Sequence, residues 1–244
     1  MLPVLQIGPL AIQVPGLVLI LGLWMGLNLA ERYASRRGIE PSSLYNLVFI
    51  ALIAGLVGAR LGYAARYPQA FAASPTSLFS LNPGLMDPLG GAAAGIIAAV
   101  IYGQRKKLPL RSTLDAMTPL LAVLALASGL AHLASGAAFG IQTKLPWAIE
   151  LWGAKRHPAQ LYEILMASLM LIIFWPGRAV FNRWQPGVYF LAFSACSAAG
   201  ALFLQAFRAD STLLANGIRN GQLAAWAVLA ASLFAMGRLI KKED

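Results

Sequence analysis

The chain has 244 residues, 59% of them hydrophobic and 11% charged, with a mean hydropathy of +0.67. A water-soluble domain carries roughly a quarter charged residues, so this composition excludes an ordinary soluble fold and points to a bilayer. The net charge of +10 would suit a nucleic-acid binder, but the cations gather at the ends of apolar stretches, which argues for membrane orientation and against nucleic acid as a partner.

Met1-Leu2-Pro3 has no basic residue before the first apolar stretch, so no cleavable leader is expected. A transmembrane helix needs about 20 mostly apolar residues. Windows of that kind centre near Leu21, Ala54, Ile97, Leu124, Leu169, Ala195 and Leu229. The expected architecture is therefore an all-α membrane protein, a seven-transmembrane-helix bundle forming one domain over residues 1–244. The third span is rich in glycine and alanine; its Gly91 and Gly95 form a small-xxx-small pair suited to close helix packing.

Arg32, Arg36 and Arg37 follow span one, Arg105, Lys106, Lys107 and Arg111 follow span three, Arg178 and Arg183 follow span five, and Arg238, Lys241 and Lys242 close the chain. The other side holds Arg66, Lys144, Lys155, Arg156, Arg208 and Arg219. This imbalance predicts an outer N-terminus and a cytoplasmic C-terminus. On the outer side, Tyr67 to Asp87 reads as a long loop of turn-forming residues, with Pro68, Pro75, Asn82, Pro83 and Gly84. Gly136 to Arg156 carries Phe139, Trp147 and Trp152 and is expected to form a small outer-side interfacial or head element. Cys196, the only cysteine, lies mid-span among small residues and reads as packing. Two histidines and one cysteine cannot build a structural zinc site, and no cofactor-binding motif is present.

The densest polar chemistry enters span five as His157-Pro158-Ala159-Gln160-Leu161-Tyr162-Glu163. Ionisable groups in a membrane cost several kcal/mol unless they are paired or face a polar cavity, so the cluster marks a candidate site. Pro158 at the start and Glu163 within suit the opening of a helix.

In chain order, Ile7-Gly8-Pro9-Leu10, Gly58-Ala59-Arg60-Leu61-Gly62-Tyr63, Gly90-Gly91, Asp115 with Pro119, Arg156 to Glu163, Phe207-Arg208 and Gly221-Gln222 resemble the motifs of prolipoprotein diacylglyceryl transferases. The resemblance covers nearly the whole chain and is most specific from Arg156 to Glu163. It implies a bacterial inner-membrane protein of lipoprotein biosynthesis. Such a protein takes the diacylglyceryl group of phosphatidylglycerol and joins it to the cysteine thiol of a prolipoprotein as a thioether. Carried over residue by residue, it implies His157 and Arg208 as catalytic groups. It also implies Arg60, Tyr63, Gln160, Tyr162, Glu163 and Gln222 as contacts to a phosphatidylglycerol-like lipid.

The departures are as informative. The family's span-four signature, Gly-Arg-Ile-Gly-Asn-Phe-Ile-Asn-Gly-Glu, aligns with Ser128-Gly129-Leu130-Ala131-His132-Leu133-Ala134-Ser135-Gly136-Ala137. The arginine has become Gly129, the first asparagine His132 and the glutamate Ala137. The family's His-Gly-Gly has become Leu89-Gly90-Gly91, and its Tyr-Gly has become Pro15-Gly16. Transfer needs a leaving phosphate stabilised by cations and a thiol stripped of its proton by a base. Gly129 and Leu89 supply neither, and His132 is a possible substitute base.

Two classes of function follow. One is a non-catalytic or altered relative, a lipid-binding or scaffolding subunit of a membrane complex with other membrane proteins as partners; the residue losses favour this pseudoenzyme reading. The alternative is an active phosphatidylglycerol-prolipoprotein diacylglyceryl transferase. His132 against Glu163, and Arg60 against Glu163 or Asp115, also have a purely structural reading as intramembrane pairs.

Overall fold

The computed structural model describes residues 3–8, 10–73, 76, 83–213 and 217–240. Met1, Leu2, Pro9, Pro75, Asn82, Lys241 and Lys242 lie outside them. The elements in order are β1 (Val4–Ile7), β2 (Leu10–Gln13), α1 (Val14–Ala34), α2 (Pro41–Arg66), α3 (Pro68–Ala73) and α4 (Pro88–Arg105). They continue with α5 (Leu110–Ser135), β3 (Ile149–Leu151), β4 (Ala154–Arg156), α6 (Ala159–Ile173), α7 (Ala179–Asn182), α8 (Val188–Gln205) and α9 (Asn220–Ile240).

Five of these helices, α1, α2, α5, α8 and α9, are long and apolar enough to cross a membrane. Among the described residues, the expected count of seven is not confirmed. The fifth expected span falls short in length: α6 has 15 residues, about 22 Å of helix against a hydrocarbon core of about 30 Å. The third, α4, has 18 residues, and its glycines and alanines contribute little hydropathy each. The all-α expectation is amended. β1 pairs antiparallel with β2, Val4 opposite Gln13, and β3 with β4, Ile149 opposite Arg156. The stretch from Tyr67 to Asp87, expected as loop, contains α3 and a 3₁₀ turn at Pro83–Leu85. Large apolar side chains such as Trp24, Ile96, Leu165, Trp226 and Phe234 are exposed, as lipid-facing helix surfaces require.

Backbone contacts divide the chain into two compact units, Ala34–Thr113 and the remainder, Met1–Tyr33 with Leu114–Asp244. In the smaller unit α2 and α4 pack through glycine. A Cβ on Gly58 would lie 2.2 Å from that of Ala94, and one on Gly91 2.9 Å from that of Ala59. The expected role of Gly91 and Gly95 is thus met on the facing helix by Gly55, Gly58 and Gly62. Asp87 closes this unit. Its carboxylate accepts from the Gly90 N–H at 2.9 Å, capping α4, and lies 3.3 Å from Arg66.

In the larger unit Tyr33, Ala122, Met170, Phe174, Phe181, Tyr189 and Phe193 form an aromatic core. Asp115, fully buried on α5, accepts from the N–H groups of Gly187 and Phe190, both at 2.9 Å, and so caps α8. Pro119, which carries no N–H, sits inside α5. The hydroxyl of the preceding residue, Thr118, donates to the Leu114 carbonyl at 3.1 Å.

Candidate functional site

Three helices of the larger unit turn matching faces towards one cavity of about 280 Å³. α5 offers Ala125, Ser128, Gly129 and His132; α6 offers Glu163, Met166, Ala167 and Met170. Both sets follow the spacing i, i+3, i+4, i+7, which is one face of a helix. α8 adds Ser197, Ala201, Leu204 and Gln205, and Arg208 follows just beyond its end. The walls are mostly apolar, and the titratable groups are three: His132, Glu163 and Arg208.

These three form a chain. Glu163 accepts at Oε2 from His132 Nδ1 at 2.7 Å and at Oε1 from Arg208 at 3.1 Å. Arg208 in turn donates from Nε and a terminal nitrogen to the two oxygens of Asp210, at 3.0 and 3.1 Å. Asp210 also accepts from the Ala138 N–H at 2.9 Å. Burial pushes the Asp210 carboxyl up, but the hydrogen bonds and charge of Arg208 and the Ala138 N–H outweigh it and hold the group below the usual aspartate range. Arg219 braces the assembly, donating to the Arg208 carbonyl and to the Ser211 hydroxyl.

Local structure sets these positions. α5 ends where the Gly136 N–H bonds the His132 carbonyl at 2.9 Å, with Gly136 at φ 76°; this left-handed residue is the one glycine kept from the family's signature. Further on, Gly140 pairs antiparallel with Arg208 while Gln142 pairs with Arg156. The stretch from Gly136 to Arg156 is therefore a small β-built element, with Trp147 and Trp152 exposed. It fixes Arg208 from one side. Gln160, fully buried, pins the first turn of α6 by donating to the Ala137 carbonyl at 2.8 Å.

The expected site residues thus separate into groups. His132, Glu163 and Arg208 meet at the cavity. His157 does not line it; its ring packs against Tyr162 and Phe207, and its Nδ1 lies 3.3 Å from the Tyr162 hydroxyl, which also accepts from the Trp147 indole at 2.9 Å. Gln222 accepts from the Arg219 N–H at 3.1 Å, at the start of α9. Arg60 and Tyr63 belong to the smaller unit. There Arg60 donates to the Leu85 carbonyl at 2.6 Å and lies over the Phe71 ring, which Tyr63 also contacts. Sequence reasoning missed Gln205 and Asp210. The available signal for Asp210 was an acid two residues after Arg208, within reach of an ion pair.

Residues 3–238 match the profile of the prolipoprotein diacylglyceryl transferase family. The chain belongs to that family. It is 27% identical over 239 residues to the phosphatidylglycerol-prolipoprotein diacylglyceryl transferase of Synechococcus elongatus, covering 92% of this chain and 82% of that protein. The enzyme of the same name from Nostoc is 26% identical, covering 99% and 90%. That from Methylococcus capsulatus is 32% identical, covering 68% and 66%. Family and apolar helices together indicate a multi-pass bacterial inner-membrane protein. These relatives all carry transferase names, which supports the transferase alternative over the lipid-binding scaffold that the lost signature residues had suggested. In this member of the family, Gly129 lines the cavity where the signature has arginine, and Leu89 is 74% exposed at the start of α4.

Proposed function

We propose that the chain transfers the diacylglyceryl group of phosphatidylglycerol to a prolipoprotein thiol, with the lipid seated in the cavity of α5, α6 and α8. In this reading the sulfur bonds to the glyceryl carbon that carried the phosphate, the C–O bond breaks, and its electron pair leaves with glycerol phosphate. The thiol proton passes to a base on the protein. A mostly apolar wall suits the acyl chains, and Arg208 retains guanidinium N–H groups for the phosphate.

The observation that carries the reading is the placement of a histidine, a carboxylate and an arginine at one such cavity, in a chain whose named relatives are transferases. We place the N-terminus outside and the C-terminus in the cytoplasm on the strength of the basic-residue imbalance. Labelling of a cysteine introduced at Lys106 from the cell exterior would reverse that topology.

The test is thioether formation on a lipobox peptide by purified protein in phosphatidylglycerol micelles, read by mass spectrometry. Turnover is expected. A second reading, a lipid-binding subunit without chemistry, is favoured by Gly129, Leu89, Pro15 and Ala137, which remove four groups of the family pattern. It takes over if phosphatidylglycerol co-purifies with the protein while no thioether forms at any pH.

A further inference from the structure

We propose that His132 is the general base of the transfer, a role that rests on the transferase reading above and that the family's asparagine at this position cannot perform. Glu163 and Arg208 hold it in place.

An ionised carboxylate can only accept hydrogen bonds, so the 2.7 Å contact with Glu163 fixes the proton of a neutral His132 on Nδ1. Nε2, on the far edge of the ring, is then the nitrogen with a free lone pair. His132 is among the residues lining the cavity, and its side chain is 36% exposed against 16% for Glu163. The base is thus open to a ligand while its orienting carboxylate is more enclosed. That is the arrangement by which a carboxylate sets the tautomer and direction of a catalytic imidazole.

The support behind the pair is continuous. Arg208 takes the second oxygen of Glu163, and Asp210 takes Arg208 with a two-pronged contact, so Glu163 cannot turn away without breaking a second ion pair. The charged groups that line the cavity with His132 are Glu163 from α6 and Arg208 from the segment after α8; its neighbours on α5, Ser128, Gly129 and Ser135, are uncharged. A thiol titrates near about 8.5 and an ordinary imidazole near about 6.5, a match that leaves histidine the suitable acceptor at neutral pH.

The step balances. The S–H proton moves to Nε2 as the sulfur pair forms the S–C bond, the C–O pair departs on the phosphate, and the imidazolium returns its proton to the leaving phosphate or to water. His132 lies three residues beyond Gly129 on the same helix face, so the new base stands one turn from the place where the family keeps its arginine.

The experiment follows the rate of peptide lipidation by full-length protein in phosphatidylglycerol micelles from about pH 6 to 10 for wild type, His132→Ala, His132→Asn and Glu163→Gln. Phosphatidylglycerol retained on each purified protein is measured in parallel. The wild-type rate should rise through one ionisation and level off. Both His132 variants should lose about a hundredfold or more at neutral pH and recover as the thiol ionises unaided near about pH 8.5, while retaining lipid. Recovery at high pH also proves them folded. Glu163→Gln should displace the wild-type inflection, which a merely structural contact would not do, and Glu163→Asp should restore part of the profile. A His132→Asn protein with the wild-type rate and profile at neutral pH overturns the base while leaving the transferase reading intact. Absence of transfer by wild type at every pH overturns both.

Discussion

Between α2 and α4 the glycines of one helix meet those of the other, whereas around α6 the glycines of α5 and α8 meet isoleucine and methionine. At the first contact a Cβ on Gly58 would stand 2.8 Å from the Gly90 carbonyl oxygen, and one on Gly95 3.0 Å from that of Ala51. Backbones touch, no space remains, and the polar groups at that end, Arg60, Arg66 and Asp87, serve as ties between segments. At the second, Gly129 approaches the flexible Ile164 side chain, and Gly200 on α8 approaches Met166. Small residues on one side only leave a cavity, and the polar chain of His132, Glu163 and Arg208 borders it. The same residue type therefore closes one helix pair and opens another, depending on what faces it.

The largest effect should come from filling the closed pair. Gly58→Val places carbon atoms where Ala94 and Gly90 already stand, and neither is the end of a flexible chain. A loss of about 3 kcal/mol is expected, seen as a lower unfolding midpoint in detergent. A variant as stable as wild type would show that backbone contact is not what joins α2 to α4. Next is the cap that joins α5 to α8 in the open unit. Asp115→Ala leaves the N–H groups of Gly187 and Phe190 without their carboxylate, at a cost of about 2 kcal/mol. Asp115→Asn, which retains one acceptor oxygen, should lose less; equal losses would show that the cap matters less than the charge.

A smaller effect is expected at the cavity wall. A Cβ on Gly221 would lie 2.4 Å from the Gln205 amide nitrogen. That atom ends a flexible side chain, so Gly221→Ala should cost about 1 kcal/mol. Gln205 must then move, and because it lines the cavity, the amount of phosphatidylglycerol that co-purifies should fall. Unchanged lipid content would separate Gln205 from the ligand space.

Much of this was legible in the chain. Hydropathy located the five long helices, and the order of motifs located Glu163 and Arg208; His132 stood out because a histidine inside an apolar span needs a partner. The length of the expected fifth span was not legible, for a physical reason. A hydropathy window sums Phe174 and Trp175 with α6, but Phe174 is the last capped position and Pro176-Gly177 turns the chain away from helix. Hydropathy measures solvent preference and is blind to where hydrogen bonding stops. His157 shows what a motif leaves open, since the sequence does not reveal that its ring packs against Tyr162 and Phe207. Asp210 and Gln205 were not seen because each owes its place to a segment distant in sequence, Ala138 for one and Gly221 for the other.

The subtlest test concerns the end of the polar chain. Asp210 is held below the ordinary aspartate range although burial opposes it, because Arg208 and the Ala138 N–H favour the ionised form. A carboxyl whose native pKa is lowered binds protons less readily when folded. Its stabilising contribution is therefore complete above the unfolded value, about 3.9, and disappears as pH falls through the lowered native value. Asp210→Asn keeps the shape but removes the charge, so wild type should exceed the variant in unfolding free energy by no more than about 1 kcal/mol, since the pair is partly exposed. That margin should be flat above about pH 5 and shrink towards zero in stronger acid, where both side chains are neutral. A margin that grows on acidification would mean that Asp210 is not held ionised, and the brace behind Arg208 would have to be assigned to Arg219 and the Gly140 pairing alone.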